Sequence, residues 1–298
     1  MAELQYATTF SRHILDLYDQ ELKSVRLFNS NPDIQIVNAK DIKLPKLSVG
    51  GYKDHSRTNL SFNAGAYSND YEIKQLDHDR DIEFAIDPLD VDETNQVVSI
   101  ANVQKRFETR QAIPELDCYV FSKLFAEATR VGAHIDNEKP TNANVLAKFD
   151  DDMEALEDAG VPLSRCVMYC TAEYKKTLKN AEGISRVLDA SKPNGLDRRV
   201  HSMEDLAEIV VVPKERFKTA YDFTDGFAVG STGKQINYII IDPEAQVSRV
   251  KYSYINVFTP GHDSRTADKY LYQNRRFNGT FALDEMLKTS ARINADAQ

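Results

Sequence analysis

The chain is 298 residues long, with 42% apolar and 28% charged residues; that length suits about two domains, and that composition an ordinary globular core. A formal net charge of −9 argues against a surface that grips nucleic acid all over, because phosphate binding needs Lys and Arg to displace counterions. Neither a secretory leader nor a membrane span is visible: the start, M-A-E-L-Q-Y, lacks a basic and then an apolar region, and the longest apolar runs, Ile209–Val212 and Tyr238–Ile241, are too short to cross a bilayer.

In chain order, Phe10, Ile14, Leu17, Tyr18, Leu22 and Val25 predict an amphipathic helix over Thr9–Phe28, ended by Asn29-Ser-Asn-Pro32. It packs either on a neighbouring subunit or on its own domain. Ile34–Val37 and Asp41–Leu44 read as short strands. Gly50-Gly51 can take positive φ and marks a bend. Few large apolar residues occur between Leu47 and Ala66, and Tyr67–Leu76 resumes an extended pattern. This segment reads as a protruding two-stranded hairpin, marginal alone and in need of a partner surface.

Ile82, Phe84 and Ile86 alternate with Glu83, Ala85 and Asp87, giving a strand with one apolar face. Asp87-Pro88 with Asp90, Asp92 and Glu93 makes an acidic helix start, matched to the partly positive end of a helix. From Val97 the period is helical, through Ile100, Val103 or Gln104, and Phe107. Pro114 is expected to interrupt and to open a second helix, faced by Leu116, Val120, Leu124 and Ala128.

Gly132 and 137–141 form a connector. Asn142 or Thr141 is placed to cap a helix carrying Leu146, Phe149, Met153 and Leu156, stopped by Gly160-Val161-Pro162, with Asp150-Asp151-Asp152 on its wet face. A strand at Arg165–Tyr169, a helix at Ala172–Lys179 capped by Thr171, a loop at Asp189–Arg199, a buried strand at Leu206–Val212, and strands at Ile236–Ile241 and Gln246–Phe258 follow. They read as an α/β lobe. After a break at Val257–His262, Asp268–Phe277 is extended, and from Asp284 the chain looks like a short amphipathic tail.

Catalytic and metal motifs are missing from this pattern. Gly230-Ser-Thr-Gly-Lys234 falls short of a phosphate loop because Ala228 and Gln235 stand where that motif needs other residues. Cys166-x-x-x-Cys170 has no second pair for zinc, and Cys118, Cys166 and Cys170 read as buried free thiols. The acids around Asp77 and Asp87 lack the Gly and terminal Glu of a calcium loop.

The order D-R-x-x-x-F-x-I-D-x-x-D-x-D-E-T from Asp79, then F-E-x-x-x-A-x-P-E-x-D from Phe107, and a late D-x-Y-x-Y-x-x-R from Asp268, resembles the major capsid proteins of tailed bacteriophages, the Hong Kong phage-type family. The resemblance implies an α+β fold. Its parts would be an N-terminal arm over 1–40, an extended β-hairpin arm (the E-loop) over 41–80, and a peripheral shell domain with a long spine helix over 81–140 and 256–285. An axial α/β domain over 141–255 and a C-terminal tail over 286–298 complete it.

The implied function is a non-enzymatic one. Copies would assemble in the host bacterial cytoplasm into hexamers and pentamers of an icosahedral shell, in a virion enclosing double-stranded DNA without sequence-specific binding. No cofactor is implied. A separate scaffolding protein and a portal would be partners, with room for a decoration protein. A strand pattern from about Ile34 leaves no room for a built-in scaffold, so an uncleaved subunit is expected, and no covalent crosslink from Lys46 or Lys53. An encapsulin-like nanocompartment shell is the alternative, and a soluble α/β enzyme with a mobile lid is the alternative of another class.

Charge suggests how copies meet. Lys40 to Arg57 carries a net +3, and Asp77 to Glu93 a net −7. The basic arm (Lys46, Lys53 and Arg57, with Leu47, Val49 and Tyr52 for burial) is expected to lie over the acidic entrance (Asp79, Glu83, Asp90, Asp92 and Glu93) of the next subunit. Alternatively, the two segments meet inside one chain.

Overall fold

The structure, a computed structural model, describes residues 22–28, 41–55, 63–93, 100–181, 206–261 and 266–297. The expected strand at Ile34–Val37 and loop at Asp189–Arg199 lie outside these residues, as does most of the Thr9–Phe28 helix. The described end of that helix is a 3-10 turn, Val25–Leu27, followed by an isolated bridge from Phe28 to Ser248.

Strands β1 (Asp41–Val49) and β2 (Tyr67–Gln75) form the expected antiparallel hairpin, and among the described residues they pair with each other only. Pro45 is tolerated within β1 because a two-stranded ribbon leaves each strand an unpaired side. At nine residues per strand, the hairpin reaches about 30 Å. Its tip is fastened by Gly50 N–H donating to Ala66 O at 2.7 Å.

The chain then enters β3 (His78–Ile86), α1 (Pro88–Glu93) and α2 (Ile100–Phe107). Here Pro114 does not interrupt. Residues Glu108–Ala112 form a π turn, with Ile113 N–H bonded to Glu108 O five residues back, and α3 (Ile113–Val131) continues without a break. Pro114 has no N–H to give to the preceding turn, and a widened turn accommodates that loss without ending the helix. Gly132 closes α3 at φ 71°, the left-handed conformation that glycine adopts at least cost.

Next come β4 (His134–Asp136), α4 (Val145–Asp158), β5 (Val167–Thr171), α5 (Ala172–Lys179), β6 (Glu208–Val212), the small ribbon β7 (Tyr221–Asp222) and β8 (Ala228–Val229), and β9 (Ile236–Ile241). The chain ends with β10 (Gln246–Phe258), β11 (Tyr270–Ala282), α6 (Asp284–Ser290) and β12 (Arg292–Ala295). Two main sheets result, a five-stranded one in the order β4-β12-β9-β5-β6 and a three-stranded one in the order β10-β11-β3.

The five-stranded sheet is covered on both faces, which is why β5 and β9 are almost wholly apolar. Val167 and Tyr169 face the α3 side, where Phe121 meets Tyr169 and Phe217 edge-on at 5.2 and 4.9 Å. Met168 and Cys170 face α4, with Phe149, Met153 and Leu156. Leu116, Val120, Leu124 and Ala128 are buried on α3 as expected.

Several expectations change. The Leu206–Val212 strand is an edge strand, half-buried from Glu208 to Val211. Asn144, not Asn142 or Thr141, precedes α4, and its Oδ1 accepts Thr141 N–H. Arg165 belongs to a 3-10 turn before β5. Asp152 is buried rather than wet, and accepts the Tyr238 hydroxyl at 2.6 Å. The tail is no loose end: β12 sits between β4 and β9. All of β10 belongs with β11 and β3, so the 255/256 division falls inside a strand. Its register slips by one residue between Val250 and Tyr252, a β-bulge.

Candidate functional site: a rooted hairpin and an acidic strand

The root of the hairpin is fixed on α3. Tyr119, Lys123 and Glu127 follow each other four residues apart and so share one helix stripe. Lys74, at the end of β2, pairs with Asp284 at 3.2 Å and Glu127 at 3.8 Å. Arg130 closes this cluster by binding Glu127 at 2.7 Å and Asp284 at 2.5 Å. The Arg130 hydrogen bonds hold the Asp284 carboxyl down at about 2. Asp77 accepts from the Tyr119 hydroxyl at 2.5 Å and Lys123 at 2.6 Å. Burial pushes Asp77 up, but these two donors outweigh it and hold it below the usual range. Between the two clusters, Leu76 lies across β11 at Gly279, where a Cβ would stand 1.7 Å from Leu76 Cδ2.

β3 follows directly, and its residues alternate between two environments. On the inner side, Arg80 donates to Glu115 at 2.7 Å and to the carbonyls of Phe223 and Gly226. His78 stacks on Tyr119 with ring centroids 4.1 Å apart, and burial followed by the charge of Arg80 pushes its pKa down to about 4. Burial raises Glu115 although Arg80 opposes it. Further along, Glu108 of the π turn is buried and receives Arg276 at 2.9 Å through both carboxylate oxygens, together with Asn274 at 2.7 Å and the Tyr272 hydroxyl at 3.2 Å. Sequence reading placed Glu108 in the motif from Phe107 without giving it a role; its i+4 spacing from Gln104, also buried, is the signal that could have found it.

On the outer side, Asp79, Asp81 and Glu83 are exposed. Asp79 is held by Arg275 of β11 at 2.6 Å, and Glu83 accepts Gln273 Nε2 at 2.6 Å. The acidic strand thus meets a neighbouring strand of its own chain.

The expected arm residues are placed as follows. Lys46 and Leu47 lie on β1 opposite Asp70 and Asn69. Val49 is 71% exposed, Tyr52 is fully exposed, and Lys53 Nζ reaches Ala64 O at 3.3 Å. Arg57 lies outside the described residues. Asp90 is exposed on α1, and Asp92 and Glu93 lie on the same helix. The exposed side chains Val250, Tyr252 and Tyr254 on β10 were missed by sequence reading.

Burial pushes the Cys118 thiol up to about 12 and those of Cys166 and Cys170 up to about 11, far from thiolate reactivity. Among the described residues, no group of three or more His, Cys, Asp or Glu is placed to hold a metal ion. No described helix is long and apolar enough to cross a membrane. Gly230–Lys234 is a polar turn ahead of β9, with Gly233 N–H donating to Gly230 O.

No protein-family model and no curated protein matches the chain. Solved structures do match. The asymmetric unit of the bacteriophage PhiM1 mature capsid aligns with a TM-score of 0.62 and 11% identity, over 87% of this chain and 83% of that one. The capsid structure of the cyanophage P-SCSP1u aligns at 0.56 and 12% identity, over 89% and 85%. A structure from Mycobacterium phage Adephagia aligns at 0.57 and 13% identity, over 93% and 90%. The chain therefore has, over most of its length, the mixed helix-and-sheet fold of solved phage capsid structures, the fold its sequence resembles.

Proposed function

We propose that this chain is the major capsid protein of a tailed bacteriophage, and that its copies assemble into an icosahedral shell around double-stranded DNA. The observation that carries this reading is the likeness to capsid structures along nearly the whole chain, joined to a hairpin that pairs with no other strand among the described residues. A ribbon of that kind is marginal alone and gains stability from a partner surface. The role is structural, not enzymatic.

In this reading β1 and β2 form the E-loop, while α2, α3 and the three-stranded sheet make the peripheral domain. The five-stranded sheet with α4 and α5 makes the axial domain, and β12 belongs to it. The basic arm of one copy, with Lys46, Leu47, Val49, Tyr52, Lys53 and Arg57, lies over the acidic strand and corner of the next, at Asp79, Glu83, Asp90, Asp92 and Glu93. A scaffolding protein and a portal are its partners, and DNA is enclosed without sequence reading. A net charge of −9 suits a wall that leaves the duplex mobile. Sedimentation and electron microscopy of the purified chain test the proposal: multi-megadalton shells are expected, and a small, fixed oligomer would contradict it.

A further inference from the structure

We propose that the cleft between the inner face of β3 and β11 and the π turn is a binding site for a small organic cation, a primary ammonium on an aliphatic chain. The site lies within one copy and stands apart from shell assembly.

A cavity of about 530 Å³ opens here, a size usual for small-molecule sites. Its floor is the inner face of the sheet, where His78 stands opposite Asn278, Arg80 opposite Arg276 and Ile82 opposite Asn274. Its roof comes from Phe107 and Ala112, at the two ends of the π turn, and from Glu115. Turns of this kind recur at functional sites.

One polar group in the lining calls for a ligand. Asn278 is 5% exposed, and among the described residues its Oδ1 accepts no hydrogen bond. A buried acceptor left unmade is costly. The nearby Arg80 is spent: it gives Nε to Glu115, and Nη1 and Nη2 to the carbonyls of Phe223 and Gly226. Glu115 stands beside the same row, with Oε1 3.6 Å from His78 Nε2, and it takes Arg80 through that one oxygen. The ligand must therefore bring the donor.

The charge balance selects a cation. Arg80, Arg275 and Arg276 are paired with Glu115, Asp79 and Glu108, and burial keeps His78 neutral near pH 7. Asp81 and Asp225 remain in excess around the cleft. The body of the ligand is apolar. Further along β3, Ile82 and Phe84 line the cleft with Phe107, whose ring meets Phe84 edge-on at 5.5 Å. The Asn278 and Ile82 rows are four residues apart, about 13 Å along a strand, so an ammonium at the first reaches the second through a chain of several carbons.

Ligand-observed NMR on the purified chain at neutral pH tests this with three probes of equal chain length: octylamine, octanol and octanoate. Octylamine should bind saturably and about tenfold more tightly than octanol, and octanoate should not bind. Asn278→Leu, which keeps the volume and removes the acceptor, should weaken octylamine by about tenfold. Asp225→Asn should weaken it by about threefold. Asp225 is exposed, so that variant reports even if Asn278→Leu fails to fold. If octanol or octanoate binds as tightly as octylamine, or if the folded variants keep wild-type affinity, the site is wrong. If no probe binds, the cleft holds only water and the proposal fails, while the shell reading is untouched.

Discussion

The two sides of α3 are built on opposite principles. Toward the five-stranded sheet the helix is apolar, and Phe121 is enclosed by Tyr169 and Phe217. Toward the hairpin root and β3 it is ionic, with Glu115, Tyr119, Lys123 and Glu127 each bonded to a named partner, and Glu108 of the π turn continues that side. Apolar burial is non-directional and grows with area, so the first side supplies most of the stability. Buried ion pairs repay their desolvation only in good geometry, so the second side adds little net energy. What it adds is direction: Lys74, Leu76 and Asp77 fix where the hairpin leaves the body.

The contrast can be broken most strongly at its centres. Phe121→Ala should cost about 3–5 kcal/mol by denaturant unfolding, and no single second substitution should recover it. Glu108→Ala should cost a similar amount, about 3–5 kcal/mol, because Arg276 loses its buried carboxylate. Here a second change, Arg276→Met, should return most of the loss. Failure of that recovery would mean the ionic side is itself a source of stability.

A smaller effect is expected with pH. The imidazole of His78 titrates near 4 in the folded chain and near 6.5 when unfolded. Its folded pKa is depressed, so its contribution is complete above about pH 6.5 and is lost as pH falls toward 4. The loss should be about 2–3 kcal/mol over that window. His78→Phe keeps the stack on Tyr119 and removes the proton site, so its unfolding midpoint should change less between those pH values. Parallel curves for the two proteins would show that His78 stays charged inside. The smallest effect on the monomer is expected at the tip: Tyr52→Ser should change its stability by less than about 0.5 kcal/mol, read by thermal unfolding.

What the sequence made legible was periodic. The alternation at Ile82, Phe84 and Ile86 and the four-residue stripe from Leu116 to Ala128 are both found as read. So is Thr171, whose Oγ1 caps α5 by accepting Tyr174 N–H. Features fixed by distant partners were not legible. Strand β12 is four residues, R-I-N-A, and becomes a strand only because β4 and β9 flank it. Asp152 looked solvated in an acidic run, although it shares a helix stripe with Phe149 and Leu156, and its partner Tyr238 is 86 residues away. The acidic entrance was legible as a charge count, but not as a strand with Asp79 and Glu83 already engaged and Asp81 left over.

The bulge in β10 has a consequence for the length of the chain. Side chains in a regular strand alternate, so inserting or deleting one residue there exchanges the two faces of everything beyond it. Beyond the slip at Val250, the even-numbered Tyr252, Tyr254 and Asn256 sit opposite the odd-numbered Phe277, Arg275 and Gln273. Deleting Lys251 would restore an unbroken ladder in which every later residue keeps its present partner, so Tyr252, Tyr254 and Asn256 would stay on the outer face. The bulge thus absorbs the extra residue. A regular ladder run through Lys251 would instead bring Lys251, Ser253 and Ile255 opposite Phe277, Arg275 and Gln273 and turn the tyrosines to the other face. One irregular position holds the phase of the strand, and with it the set of groups on the surface.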